Sequence, residues 1–149
     1  MKAIACVDKN MGIGRSGELL VRIKEDMKFF RKTTIGHPVI MGKKTFLSLK
    51  EPLKDRENIV LSRTLSGIIH ENVTVCNDYQ QLINMNDAFV IGGGEIYKLF
   101  LPYCDEIYLT EVNETYEADT FFPSFDKNLY NVEILEENEL FSIKKYTKK

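Results

Sequence analysis

Three stretches of this sequence end an apolar run on residues suited to holding phosphate. Ile91-Gly92-Gly93-Gly94-Glu95 offers a backbone that a pyrophosphate can approach closely, because glycine has no Cβ to obstruct it. Met41-Gly42-Lys43-Lys44-Thr45 adds two cations and a hydroxyl, and Leu61-Ser62-Arg63-Thr64 ends on a hydroxyl and a guanidinium. Each has an ordinary reading when taken alone. A triple glycine is often a tight turn, Lys43-Lys44 a solvated helix start, and Arg63 a surface charge. The triple glycine does not fit the dinucleotide fingerprint, and no P-loop lysine motif is present. Together, the three imply a ligand with several phosphates. An arginine after a strand favours a 2′-phosphate, hence NADP over NAD.

A carboxylate is the second chemical feature. Ile23, Met27 and Phe30 form the i, i+4, i+7 stripe of a buried helix face, and Asp26 shares part of that face. Two readings follow from the spacing. Asp26 is either an N-terminal acid stabilised by the helix dipole, or a partly buried carboxylate kept for a ligand. In the second case it can pair with an amidine-like heterocycle edge through two parallel hydrogen bonds.

These residues need elements to position them. Residues 3–7 read as a strand, 10–17 as a glycine-bearing loop, and 23–32 as a helix. Residues 38–41 form a short buried strand, 43–49 a helix, 58–61 and 73–76 strands, and 79–83 a short helix. Residues 89–91 are a strand running into the glycines, followed by a helix over 95–100 that Pro102 stops. Residues 107–112 and 132–135 are strands, and 140–146 forms a hairpin with the second through 136–139. Alternation followed by C-terminal strands predicts a mostly parallel α/β sheet with an antiparallel edge, one domain over residues 1–149.

Composition narrows the function classes. The 149 residues are 44% apolar and 28% charged with a net charge of −2, which leaves no basic field for nucleic acid or an anionic membrane. No apolar run approaches the roughly 18 residues of a membrane helix, and the N-terminal apolar stretch is too short for a signal peptide. Cys6, Cys76 and Cys104 are widely spaced and odd in number. No disulfide framework or metal site is expected from them or from His37 and His70, and a reducing, cytoplasmic setting fits.

Five blocks resemble the dihydrofolate reductase family. They are residues 38–46, residues 56–63, Val90-Ile91-Gly92-Gly93-Gly94-Glu95-Ile96-Tyr97, Tyr108-Leu109-Thr110, and Ala118-Asp119-Thr120-Phe121-Phe122-Pro123. Their order and spacing match along nearly the whole chain. The resemblance implies a mainly parallel eight-stranded sheet with an antiparallel C-terminal strand and four flanking helices. It also implies NADPH-dependent reduction of dihydrofolate to tetrahydrofolate by a monomer that antifolates inhibit. Asp26 would hold the pteridine ring with Thr110 bonded to it, and Arg56 would clamp the carboxylate of the glutamate tail. Ile4, Ala5, Met27, Phe30, Leu49, Leu53 and Ile91 would line the substrate pocket. Cofactor contacts would come from Cys6, Ile13, Gly14, Gly42, Lys43, Lys44, Thr45, Leu61, Ser62 and Arg63. Ile91, Gly92, Gly93, Gly94, Glu95, Ile96, Tyr97 and Thr120 would complete that set, with a cis peptide at Gly92-Gly93. Residues 11–19 would close over the nicotinamide.

One departure stands out. Where the family reads Leu-Pro-Trp, this chain has Leu19-Leu20-Val21, and it contains no tryptophan; a position that is often proline is Lys24. Valine has no polar atom with which to hold an ordered water near the pterin, so altered antifolate sensitivity is expected. The segment between the last two strands is short, which predicts fewer contacts steadying the closing loop. Two other readings compete: a pyrimidinone reductase of the same fold, which would lack the Asp26, Thr110 and Arg56 set, and a non-catalytic NADPH- or pterin-binding protein.

Overall fold

The computed structural model describes residues 1–65 and 71–149, so His70 lies outside the described residues. The chain begins with β1 (Lys2–Val7), then a hairpin of β2 (Gly12–Arg15) and β3 (Glu18–Leu19), then α1 (Lys24–Thr34). Next come β4 (Val39–Gly42), α2 (Lys43–Ser48), β5 (Asn58–Leu61), β6 (Val73–Cys76), β7 (Phe89–Gly92) and α3 (Gly94–Phe100). The chain continues with β8 (Glu106–Val112), β9 (Thr120–Phe121), β10 (Tyr130–Glu137) and β11 (Phe141–Lys148).

Eight strands form one sheet in the order β10-β11-β8-β1-β7-β4-β5-β6. The pairs from β8 through β6 are all parallel, and β11 runs antiparallel to both β8 and β10. The expected antiparallel C-terminal strand is β11, and β10, its hairpin partner, forms the edge beyond it. The parallel strands β4, β5 and β7 read as apolar runs because both faces are covered. Alternate residues serve the two faces. Ala3, Val7, Val90, Ile107 and Leu109 pack into one core with Tyr97 and Phe100 of α3. Ile4, Phe89, Val39, Met41 and Val60 pack into the other, with Phe29 and Phe30 of α1 against them.

Three differences from the sequence reading have local causes. Residues 12–19 are a two-stranded hairpin rather than a bare loop, with Ser16 (φ 53°) and Gly17 (φ 82°) as its two-residue turn. Positive φ at both turn positions suits the right-handed twist of the flanking strands. β2 also pairs with β9, making a small three-stranded sheet. The short helix expected over 79–83 is a single 3₁₀ turn, Tyr79–Gln81, in which the Asp78 carboxylate accepts from the Gln80 N–H. Five residues cannot repay helix nucleation on their own, so three α-helices flank the sheet among the described residues, against the four expected. Finally, α1 is rotated from the expected stripe. Met27 is 52% exposed, while Asp26, Phe29, Phe30 and Thr34 turn toward the sheet. Phe29 packs on Tyr108 at 6.2 Å between ring centroids, and this contact fixes the rotation.

Candidate active site

Because β1, β4, β5, β7 and β8 run the same way, their carboxyl ends share one edge of the sheet, where α/β proteins bind ligands. All three phosphate-type stretches lie there. Asp26 approaches the same edge from the first turn of α1.

The Thr110 hydroxyl donates to Asp26 Oδ1, joining β8 to α1 across 84 residues of sequence. Burial raises the Asp26 carboxyl above the ordinary carboxylate range, and the Thr110 hydroxyl and Cys6 thiol pull the other way without cancelling it. This is an acid held by neutral donors on a low-dielectric face, a state that favours binding a positively polarised heterocycle edge.

The expected pocket residues divide by strand parity. Ile4, Phe30, Leu49, Leu53 and Ile91 share one apolar cluster beside Asp26. Ala5 packs its side chain with the opposite core, as the alternation of β1 requires. Met27 is exposed, beside the cleft rather than in the packed cluster. Arg56 is 7% exposed and held by protein groups. Its Nε donates to the Lys54 carbonyl at 2.8 Å, and Nη1 donates to Thr34 Oγ1 at 3.1 Å. Thr34 in turn donates to the Phe30 carbonyl at 2.8 Å, so α1 sets the guanidinium angle. Burial and neighbouring Arg31 lower the Arg56 pKa, yet arginine stays cationic.

The cofactor half is built from turns. The Gly92–Gly93 peptide is cis, and Gly92 has φ +120°, a conformation open mainly to glycine. A Cβ placed on Gly93 would meet only Thr45 Oγ1, at 3.7 Å, so the space between the β7 turn and the start of α2 is open. Around it, Lys43 Nζ donates to Thr64 Oγ1 at 3.0 Å, and Ser62 Oγ accepts from the Thr64 and Leu65 N–H groups at 3.2 and 3.0 Å. Lys43, Lys44, Arg63, the hydroxyls of Thr45, Ser62 and Thr64, and a bare glycine backbone fit a phosphorylated dinucleotide. Ile13, Gly94 and Thr120 meet where the small sheet touches α3: a Cβ on Gly94 would stand 2.9 Å from Thr120 Cγ2. Tyr97 is buried, and its hydroxyl donates to the Ile4 carbonyl at 2.7 Å, so its side chain supports Gly92 from beneath.

Sequence reasoning missed the residues that hold the 11–19 hairpin. Asp119 Oδ2 accepts from the Ser16 N–H at 2.9 Å, and the Asp119 N–H donates to the Gly14 carbonyl at 3.0 Å. Asp8, at the end of β1, accepts from the Asn10, Gly12 and Tyr116 N–H groups. The partners of residues 8–16 come from residues 114–122. An aspartate two residues before Asn10 and four before Gly12 was the available turn signal.

Similarity to known proteins agrees with this layout. A sequence model of the family described as dihydrofolate reductase matches residues 1–147. The chain is 37% identical over 134 residues to a dihydrofolate reductase of Haemophilus influenzae, covering 87% of this chain and 82% of that one. It is 35% identical to one from Ureaplasma parvum, covering 100% and 97%. A solved dihydrofolate reductase from Enterococcus faecalis, complexed with NADP(H) and RAB-propyl, superposes with a TM-score of 0.84 at 30% identity, covering 99% of this chain and 95% of that one.

Proposed function

The chain belongs to the dihydrofolate reductase family, enzymes that reduce 7,8-dihydrofolate to 5,6,7,8-tetrahydrofolate with NADPH, and on that premise we propose how its own residues divide the work. Asp26 binds the pterin through its carboxyl group, with Thr110 fixing the rotamer. The observation that carries this reading is the hydroxyl–carboxyl contact on a half-buried face lined by Ile4, Phe30 and Ile91. Arg56, oriented by Thr34 and Lys54, takes the carboxylate of the glutamate tail by a two-pronged contact.

Lys44, Thr45 and the Gly93-Gly94-Glu95 turn hold the pyrophosphate, and Lys43 with Arg63 the 2′-phosphate. Cys6, Ile13, Gly14, Gly42, Leu61, Ser62, Ile91, Gly92, Ile96 and Thr120 complete the cofactor cleft, and Tyr97 shapes it from below. The chemistry NADPH supplies when bound is hydride, destined for C6 of the pterin. The protein orients the two rings, and the 12–19 hairpin excludes solvent from them. With its pKa raised by burial, Asp26 polarises the ring through either protonation state, while the proton for N5 comes from water.

The decisive experiment follows NADPH oxidation with dihydrofolate for the wild type and Asp26→Asn. Turnover should fall at least about a hundredfold in the variant. A variant as active as the wild type would overturn the assignment. Val21, which packs with Cys6 and Phe29 in the space near Asp26, supports altered antifolate affinity. Val21→Trp should tighten binding of a diaminopyrimidine, and an unchanged affinity would remove the idea.

The chain also reads as a single-domain cytoplasmic monomer. Its helices all flank one sheet, Cys6, Cys76 and Cys104 are free, and no described helix is long and apolar enough to cross a membrane. Edge strand β10 carries Glu133, Glu136 and Glu137 with a register shift between Ile134 and Glu136, features that oppose edge-to-edge pairing.

A further inference from the structure

Cys6 sits in the middle of the sheet, and the register decides where its side chain goes. In the parallel pair β1–β8, Cys6 lies opposite Thr110, and in the antiparallel pair β11–β8, Thr110 lies opposite Ile143. Residues directly opposite one another share a face. Cys6, Thr110 and Ile143 therefore form a row across three strands on the face that α1 covers. Ile4, two residues earlier on β1, packs on that same face. Around the sulfur, Val21, Ile23, Phe29 and Tyr116 close an apolar cluster with Val112 and Phe141.

We propose that Cys6 is a positioning residue of the reduction site, its thiol joining the Thr110 hydroxyl as a second neutral donor that holds the Asp26 carboxylate against the sheet. The proposal rests on the reading of Asp26 as the pterin-binding acid.

Burial, and then the neighbouring Asp26 charge, push the Cys6 thiol far above its usual range. Cys6 thus stays protonated and acts as a donor; it is not a nucleophile. A thiol donating to the carboxylate from the place beside Thr110 favours its ionised form and offsets part of the burial that raises Asp26. Other groups facing this spot do not compete for the role. Tyr97 of α3 feels both Cys6 and Asp26, but its hydroxyl is committed to the Ile4 carbonyl. Tyr116, from residues 113–119, packs beside the sulfur and feels Glu114, Cys6 and Asp8. On α1 itself, Lys24, Glu25 and Lys28 are exposed, as is Arg22 just before it.

The test compares Cys6→Val, which keeps volume and loses the donor, with Cys6→Ser, which keeps a donor. The Asp26 carboxyl is titrated by carbon-13 NMR in the NADPH complex, with Asp26→Asn assigning its signal, and the pH profile of kcat/KM is recorded beside it. In Cys6→Val the midpoint should move to higher pH by roughly half a unit, whereas Cys6→Ser should stay at or below the wild-type midpoint. The kcat/KM profiles should shift in the same order. Should Cys6→Val fail to fold, Cys6→Ala against Cys6→Ser makes the same comparison. Equal midpoints in the donor and donorless variants, or a downward move in the donorless one, would overturn the proposal. The titration needs no turnover. A wild type inactive on dihydrofolate would therefore refute the proposed function and still leave the role of Cys6 decided by the NMR comparison.

Discussion

Three aspartates lie near the cleft, and their partners divide them into two kinds. Asp8 and Asp119 belong to the junction between the 12–19 hairpin and residues 113–121, and both receive main-chain N–H groups. Asp8 takes three, from Asn10 at 2.9 Å, Gly12 at 2.8 Å and Tyr116 at 2.9 Å. Asp119 takes the Ser16 N–H and the Thr120 hydroxyl, and these hold its carboxyl below the usual range. Asp26 instead takes the Thr110 side-chain hydroxyl, and burial holds its carboxyl above that range. A carboxylate saturated by backbone donors is part of the chain's architecture. One held by a side-chain hydroxyl keeps lone pairs free, as the proposed pterin-binding role requires.

This contrast can be broken most sharply at Asp8. Asp8→Ala strands three N–H groups at a position 2% exposed, so unfolding stability should drop by about 3 kcal/mol, read by denaturant titration. A loss below about 1 kcal/mol would mean that water replaces the carboxylate and that the junction is not held as described.

At Asp26 the expected effect is smaller and opposite in sign. Its folded pKa is raised, so whatever stability its protonated form contributes is complete at acid pH and is lost as pH rises through the folded value. Asp26→Asn should therefore leave Tm unchanged at low pH and raise it by about 2 °C near neutrality, while activity collapses. A lower Tm at neutral pH would place Asp26 with the structural acids.

The smallest effect belongs to Asp119, whose carboxyl is exposed. Asp119→Ala should shift Tm by less than about 2 °C, yet speed hydrogen exchange at the Ser16 amide. Because its folded pKa is lowered, what little it adds is present above the unfolded value and fades as pH falls.

The sequence made some of this plain and hid the rest for definable reasons. The bounds of β5 (Asn58–Leu61) and β6 (Val73–Cys76) follow directly from short apolar runs between polar breaks. Helix periodicity located α1 but not its rotation, because Phe29 and Met27 are both apolar and only the Tyr108 ring decides which one turns inward. Spacing leaves Asp26 ambiguous, since its partner Thr110 is remote in sequence; the reading as a ligand carboxylate comes from resemblance to a family, not from periodicity. β10 (Tyr130–Glu137) runs past the strand expected over residues 132–135 at both ends. Apart from Tyr130 its residues are exposed, so no burial pattern marks its ends. Arg56 was legible as a cation, whereas its orientation by Thr34 was not, because nothing in a threonine at a helix end announces the residue it will brace.

The placement of β1 in the sheet governs the order in which the chain can fold. Lys2 pairs with Phe89 on one side and with Glu106 on the other, so a strand from the start of this sequence has both of its neighbours in the last half. During synthesis, Ala3, Ile4 and Val7 must remain without their partner strands until most of the chain has emerged. Such long loop closures slow folding and leave apolar strands open to wrong pairing. The same closure assembles the candidate site, since Cys6 and Thr110 come side by side only when β8 docks on β1. Ligand binding is thus a late event in folding, and a bound antifolate or cofactor acts as a clamp on the final step.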